Sequence, residues 1–292
     1  MRKLVTGAII LLVAIAICWG LVAVGQARGG DWIAALIGPE RAQTDAPMVE
    51  TLFYLLIFGS LILVAMIAAA FERRNAAALG RRPAAALLLG LFAGFAGLTV
   101  SVLYASLAGT LTDGAVNAAV PAVLLWGLAV IALQTAAEEI YFRGWLQPAL
   151  TARWGEVAGI AAAALAFAAL HVAGGAREPI SLINLFLGGL MFGLFAARGG
   201  GIAAALAAHF AWNAAEQLLY GLDPNPGLGS FGALYDKELV GAPIWGGSDQ
   251  GLNGSIGMTI ALLAILIPLA LLGRRRADPA VPPVLSPSVQ PG

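Results

Sequence analysis

Residues 119–148 read AVPAVLLWGLAVIALQTAAEEIYFRGWLQP, and they decide the class of fold. The first half of this stretch is apolar and uncharged, and its length suits a helix that crosses the roughly 30 Å hydrocarbon core of a bilayer. The second half carries Gln134, Glu138, Glu139 and Arg143. Ionisable side chains inside a membrane helix are costly and are usually functional. The stretch therefore predicts a transmembrane helix that contributes to a site.

The composition of the whole chain agrees with a membrane protein. Of its 292 residues, 60% are hydrophobic and 11% are charged, and the mean hydropathy is +0.87. Soluble domains have roughly 45–50% apolar and about 25% charged residues. Seven further apolar segments of suitable length occur, at 4–25, 50–71, 84–108, 156–174, 180–197, 201–220 and 253–273. We predict an all-α, polytopic helical bundle with about eight transmembrane helices.

The basic residues predict the topology, because Lys and Arg concentrate in cytoplasmic loops. If the N-terminus is cytoplasmic, twelve of the 16 basic residues lie in segments on the cytoplasmic (inside) face of the membrane. These are Arg2, Lys3, Arg73, Arg74, Arg81, Arg82, Arg143, Arg153, Arg198, Arg274, Arg275 and Arg276. The four outside are Arg28, Arg41, Arg177 and Lys237. We predict a multi-pass protein of the cell (inner) membrane with both termini in the cytoplasm.

The two ends of the chain carry separate expectations. Residues 1–276 form the predicted transmembrane domain, and the Pro-rich residues 277–292 form a predicted disordered tail. Residues 1–27 begin with basic residues and end with small ones, as signal peptides do. Their apolar run of about 22 residues is longer than the usual 7–15 of a signal peptide. Cleavage of residues 1–27 is therefore left open.

The histidines provide the second functional signal, because the chain has only two and both lie in apolar segments. His171 follows Phe167 by four residues in the fifth segment, and Asn213 follows His209 by four in the seventh. At a rise of 1.5 Å per helical residue, His171, His209 and Glu138 lie roughly 14–24 Å from the cytoplasmic side. Each residue taken alone also has a structural explanation, such as a hydrogen bond between helices. Together they predict one polar cavity shared by three helices.

Two imidazoles and a carboxylate suit metal-assisted hydrolysis. Such ligands hold zinc or another divalent metal with an open position for water. The metal lowers the pKa of that water, and a carboxylate takes its proton during attack on a peptide carbonyl. His171, His209 and Glu138 are the predicted metal ligands. Glu138 is the preferred base or ligand, with Glu139 as the alternative, and Asn213 orients a ligand or donates to an oxyanion.

The three motifs together resemble those of the CPBP family of intramembrane proteases, the CAAX proteases and bacteriocin-processing enzymes. This family includes the eukaryotic type II CAAX prenyl endopeptidase. Its motif Glu-Glu-x-x-x-Arg corresponds to residues 138–143, Phe-x-x-x-His to 167–171, and His-x-x-x-Asn/Asp to 209–213. The resemblance covers about residues 119–220, the predicted protease core. One motif alone is weak, but three in order on separate helices are specific.

The resemblance implies an all-α membrane fold with a cytoplasm-facing intramembrane cavity. It also implies a peptide-cleaving enzyme in which Glu138 activates water and Glu139 and Arg143 support it. It assigns His171 and His209 to a metal or to the water and oxyanion, and Asn213 completes the site. A metal-free glutamate mechanism fits the same residues. The expected partners are membrane lipid and a peptide or protein substrate, with no nucleic acid; the oligomeric state and the identity of the substrate are left open.

Two other functions compete with a protease. A non-catalytic scaffold or bacteriocin immunity protein would use the same cavity to bind a partner. A transporter would also place charged groups in the membrane. No inverted repeat is visible, and the polar groups cluster in one part of the chain, which disfavours a transporter.

Overall fold

The computed structural model describes residues 1–114, 120–222, 229–247 and 251–271, and within these ranges the fold is a bundle of helices. The predicted all-α class is confirmed. The α-helices are α1 (Arg2–Ile37), α2 (Pro39–Thr44), α3 (Ala46–Phe71), α4 (Pro83–Leu107), α5 (Pro121–Glu138), α6 (Gln147–Trp154), α7 (Glu156–Gly174), α8 (Pro179–Gly199), α9 (Ala203–Ala214) and α10 (Ile256–Leu271). Two π-helical segments, Glu139–Leu146 and Ala215–Tyr220, extend α5 and α9, and short 3-10 turns occur at Pro243–Trp245 and Gly251–Gly254.

Six helices of the described chain are long and apolar enough to cross a membrane. They are α1, α3, α4, the continuous helix Pro121–Trp154, α7 and α8. In the residues that the structure describes, each of the eight predicted apolar segments is largely helical. The seventh forms α9 and its π extension, and the described part of the eighth, Ile256–Leu271, is a shorter apolar helix. The predicted count of eight transmembrane helices is therefore not confirmed, whereas a multi-pass membrane bundle is.

Proline and glycine set several helix boundaries. α4, α5 and α8 each begin at a proline, whose fixed φ and missing N–H suit the first turn of a helix. α8 ends at Gly199, and the next residue, Gly200, adopts φ 66° in the left-handed region. Glycine takes this conformation without a steric penalty, so the chain turns there into α9.

Small residues bring α4 and α9 into close contact. A Cβ atom placed on Gly90 would overlap the carbonyl oxygen of Ala204, and one on Gly94 would overlap that of Ala208. Membrane helices associate through such small residues because these allow the backbones to approach. The contact fixes the position of α9 and hence of His209, the next residue after Ala208.

The two ends of the bundle differ in structure. At one end, the loop 72–82 meets α6 through an ion pair of 3.0 Å between Glu72 and Arg153. At the far end of α4, strand β1 (Leu111–Asp113) pairs antiparallel with β2 (Lys237–Leu239). Arg74 and Arg153, predicted inside, thus lie at one end, and Lys237, predicted outside, lies at the other. The predicted disordered tail at 277–292 and the predicted inside residues Arg274, Arg275 and Arg276 lie outside the described residues.

Candidate active site

The fourth segment changes its helical form at the two glutamates. Glu138 is the last residue of α5 and Glu139 the first of the π segment, which ends with a hydrogen bond from the Gln147 N–H to the Phe142 carbonyl. This i→i+5 bonding is rare and is often found at functional sites. The sequence predicted a continuous helix here and gave no signal of the change in hydrogen bonding.

Glu139 and Arg143 form a buried ion pair, as their spacing predicted. The Arg143 Nη1 donates to the Glu139 Oε1 at 3.0 Å, and both side chains are almost completely buried. The Arg143 Nη2 donates to the carbonyl of Gly189 on α8 at 3.2 Å. Its guanidinium also lies over the Phe167 ring, 4.4 Å from the ring centre, an attractive cation–π geometry. The arginine therefore connects the π segment to α7 and α8.

His209 joins the same ion pair from α9. Its Nδ1 lies 2.9 Å from the Glu139 Oε1, and its ring stacks on Phe192 with the centroids 4.6 Å apart. Because a carboxylate only accepts hydrogen bonds, the Nδ1 must carry the proton. The neutral ring then presents a lone pair at Nε2. Glu139 thus fixes both the orientation and the tautomer of His209.

Glu138 lies beside the Nε2 of His209. Its Oε2 is 3.9 Å from that nitrogen, too far for a direct hydrogen bond. The carboxylate is buried, and the Oε2 has no hydrogen-bond partner within the described residues. The Oε1 accepts a hydrogen bond of 3.4 Å from the Gln134 Nε2. When the His209 ring is neutral, its Nε2 and the Glu138 Oε2 are both acceptors, and they are close enough for one water molecule to bridge them.

His171 approaches this centre indirectly. Its Nδ1 lies 2.9 Å from the Phe167 carbonyl, so the Nδ1 donates and the neutral ring again exposes its lone pair at Nε2. The Phe167 ring contacts both histidines, with centroid separations of 4.6 Å to His171 and 5.8 Å to His209. The expected packing of Phe167 beneath His171 is confirmed.

Among the described residues, Asn213 lies near the site without a hydrogen bond to the glutamates or to His209. It is half-buried on α9, one turn beyond His209. In the described part of the chain, no hydrogen bond joins its side chain to Glu138, Glu139 or His209. Its predicted part in the site stays a prediction.

The metal-binding prediction can be compared with the donor geometry. Across the described ranges, no group of three or more His, Cys, Asp and Glu side chains is placed to hold a metal ion. Glu139 is already engaged by Arg143 and His209, which leaves Glu138 and His209 as a pair. The residues as placed do not form the predicted three-ligand set. Metal ligation by His171, His209 and Glu138 therefore stays a prediction.

A cavity of about 600 Å³ lies at the end of the bundle that carries the loop 72–82. Its walls come from this loop, the π segment, α6 and the turn between α8 and α9. Arg143 is the one predicted site residue among those described as lining it. Arg143 thus contacts both the cavity and Glu139.

Sequence reasoning did not assign two residues that the site uses. Phe192 stacks on His209, and Gly189 supplies the carbonyl that Arg143 binds. Both belong to α8, which carries none of the three motifs. Gly189, three residues before Phe192, gives no sequence signal for this contact, because the contact depends on how α8 packs against the fourth segment.

Comparison with protein families finds a similarity in the part of the chain that carries the site. Residues 120–215 match the family described as type II CAAX prenyl endopeptidase Rce1-like. The chain is similar to this family over that segment. All six predicted site residues lie inside the matched range. No curated protein and no solved structure matches the chain.

Proposed function

We propose that the protein is an intramembrane endopeptidase that hydrolyses a peptide bond of a membrane-associated protein or peptide. One observation carries the proposal: the buried Glu138 Oε2 and His209 Nε2 lie 3.9 Å apart, close enough for one water molecule to contact both. Both are acceptors, so a water between them donates one hydrogen to each. The lone pairs of that water are then left for a substrate carbonyl.

In the proposed mechanism, Glu138 is the general base. As the water oxygen attacks the carbonyl carbon, one water proton passes to the Glu138 Oε2, and a tetrahedral oxyanion forms. The proton then passes from Glu138 to the leaving nitrogen, and the carbon–nitrogen bond breaks. Asn213 is the proposed amide donor to the oxyanion. His171, with its Nε2 directed away from Phe167, is proposed to bind the substrate or its water.

Glu139 and Arg143 act in this proposal as positioning residues. Glu139 holds the proton of His209 on Nδ1, which keeps the Nε2 free to accept from the water. Arg143 balances the charge of Glu139 inside the bundle. No step is assigned to a metal, because the described ligands do not form a three-ligand group.

Replacement of Glu138 tests the proposal. We expect Glu138→Gln to lower peptide cleavage by about 10²–10⁴-fold, the usual contribution of a general base. The purified protein is reconstituted in liposomes with lipid-anchored peptides, including prenylated CAAX peptides, the substrate class in the family's name. New peptide termini are detected by mass spectrometry, and thermal unfolding in detergent checks that the variant is folded.

The matched control is Glu40→Gln on the exposed helix α2, which we expect to cleave as the wild type does. Cleavage of equal rate by a folded Glu138→Gln protein would contradict the proposal. A partner-binding function that survives this substitution would instead favour the non-catalytic scaffold.

A further inference from the structure

Gln134 lies one turn before Glu138 on α5 and belongs to none of the three motifs. Its Nε2 donates to the Glu138 Oε1 at 3.4 Å. This bond fixes the orientation of the amide, because turning it over would place two acceptor oxygens against each other. The Gln134 Oε1 must therefore point away from Glu138.

The Gln134 Oε1 is an acceptor with nothing to accept. It is fully buried, and it has no hydrogen-bond partner among the described residues. Buried polar atoms in proteins are rarely left in this state, and inside a membrane bundle water is scarce. The adjacent Glu138 Oε2 is also unpartnered. Two oxygens, one turn apart on one helix, thus lack donors at the point where the proposed water and substrate meet.

We propose that Gln134 is a substrate-binding residue, whose Oε1 accepts a hydrogen bond from a backbone N–H of the peptide next to the scissile bond. The inference rests on the proposed function and adds a determinant of substrate choice to it. The side-chain amide of Gln134 thus contacts both the base and the substrate. Its Nε2 donates to the Oε1 of Glu138, and its Oε1 accepts from the peptide N–H. The Oε2 of Glu138 then remains available to accept a hydrogen bond from the water.

The chemistry of the acceptor defines the substrate class. A peptide in extended conformation offers N–H groups along its backbone whatever its side chains are, so Gln134 reads the backbone and tolerates different sequences. Proline has no N–H. Peptides with proline at the position that contacts Gln134 should therefore be poor substrates.

Ester substitution in the peptide tests this contact. Once a cleaved lipid-anchored peptide is found, each N–H around its cleavage site is replaced in turn by an ester oxygen. We expect one such peptide to lower kcat/KM of the wild type by about tenfold, the usual effect of losing one hydrogen bond. Methionine has a similar shape and no amide. In Gln134→Met, the ratio of kcat/KM for the amide peptide to kcat/KM for the ester peptide should therefore fall to about one at that position.

Two further variants separate this effect from a general disturbance. Gln134→Glu keeps an acceptor and loses the donor, so it should still discriminate against the ester while its kcat falls. Gln147→Met removes another buried glutamine of the same continuous helix, whose Oε1 is also without a partner. It should leave the ratio of amide to ester peptide as in the wild type.

The outcomes are distinct. An unchanged amide-to-ester ratio in Gln134→Met at every position overturns the inference and leaves the proposed function standing. Equal loss of discrimination in Gln147→Met also overturns it, because the effect would not be specific to Gln134. No cleavage by the wild type, or equal cleavage by Glu138→Gln, overturns the proposed function and this inference with it.

Discussion

At the scale of single residues, the Glu139–Arg143 pair places two opposite charges inside a helix bundle. Removing one partner of a buried pair costs about 3–5 kcal/mol, because the other charge is left uncompensated. Both charges are also hydrogen-bonded beyond the pair, Glu139 to His209 and Arg143 to Gly189. The pair therefore contributes to stability and to the geometry of the site, and the two contributions can be separated.

We predict that Arg143→Met destabilises the protein by about 3–5 kcal/mol, and that the double variant Glu139→Gln/Arg143→Met regains part of this loss. We expect the double variant to be inactive, because a carboxylate no longer holds the Nδ1 of His209. Thermal unfolding in detergent and peptide cleavage measure the two effects.

The control for this prediction is an exposed pair of the same spacing and length. Arg41 and Asp45 are also four residues apart at 3.0 Å, but the arginine is largely solvent-exposed. Arg41→Met should change stability by less than about 1 kcal/mol. A stable and active Arg143→Met protein would show that the buried pair has neither role.

At the scale of elements, the sequence allowed part of the site to be predicted. Spacing within one helix is enough to place Glu139 beside Arg143 and Phe167 beneath His171, because residues four apart share a face. Spacing does not determine which helices are neighbours. The contacts of His209 with Glu139 and Phe192 depend on the packing of α9 and α8 against the fourth segment. The π segment, which depends on a shift in backbone hydrogen bonding, also left no trace in the pattern.

The packing of α4 against α9 gives the prediction at this scale. Gly94→Leu should destabilise the protein by about 1–3 kcal/mol, because its side chain would meet the backbone of Ala208. Since His209 follows Ala208, we expect cleavage to fall by about 10²-fold, as for a misplacement of about 1 Å. The measurements are again thermal unfolding and peptide cleavage.

The matched control for Gly94 is Gly59 in the transmembrane helix α3. A Cβ atom there would meet no heavy atom within 4 Å among the described residues. Gly59→Leu should therefore leave cleavage unchanged. Full activity in Gly94→Leu would mean that the position of His209 does not depend on the contact between α4 and α9.

At the scale of the whole molecule, the cavity lies at one end of the bundle and is linked to the buried charges by Arg143. The cavity of about 600 Å³ is at the end with Arg74 and Asn75, and the β1–β2 ribbon lies at the opposite end. Arg143 both lines the cavity and binds Glu139. If the positive-inside rule holds for this chain, the end with the cavity faces the cytoplasm.

The final prediction concerns this orientation. In a Cys18→Ser background, which removes the one native cysteine, single cysteines are introduced as Asn75→Cys and Ala242→Cys. Both positions are exposed, the first beside the cavity and the second shortly after β2. A membrane-impermeant maleimide added to spheroplasts should label Ala242→Cys at once and Asn75→Cys after the membrane is opened. The reverse pattern would place the cavity outside, and substrates would then have to reach Glu138 from the extracytoplasmic side.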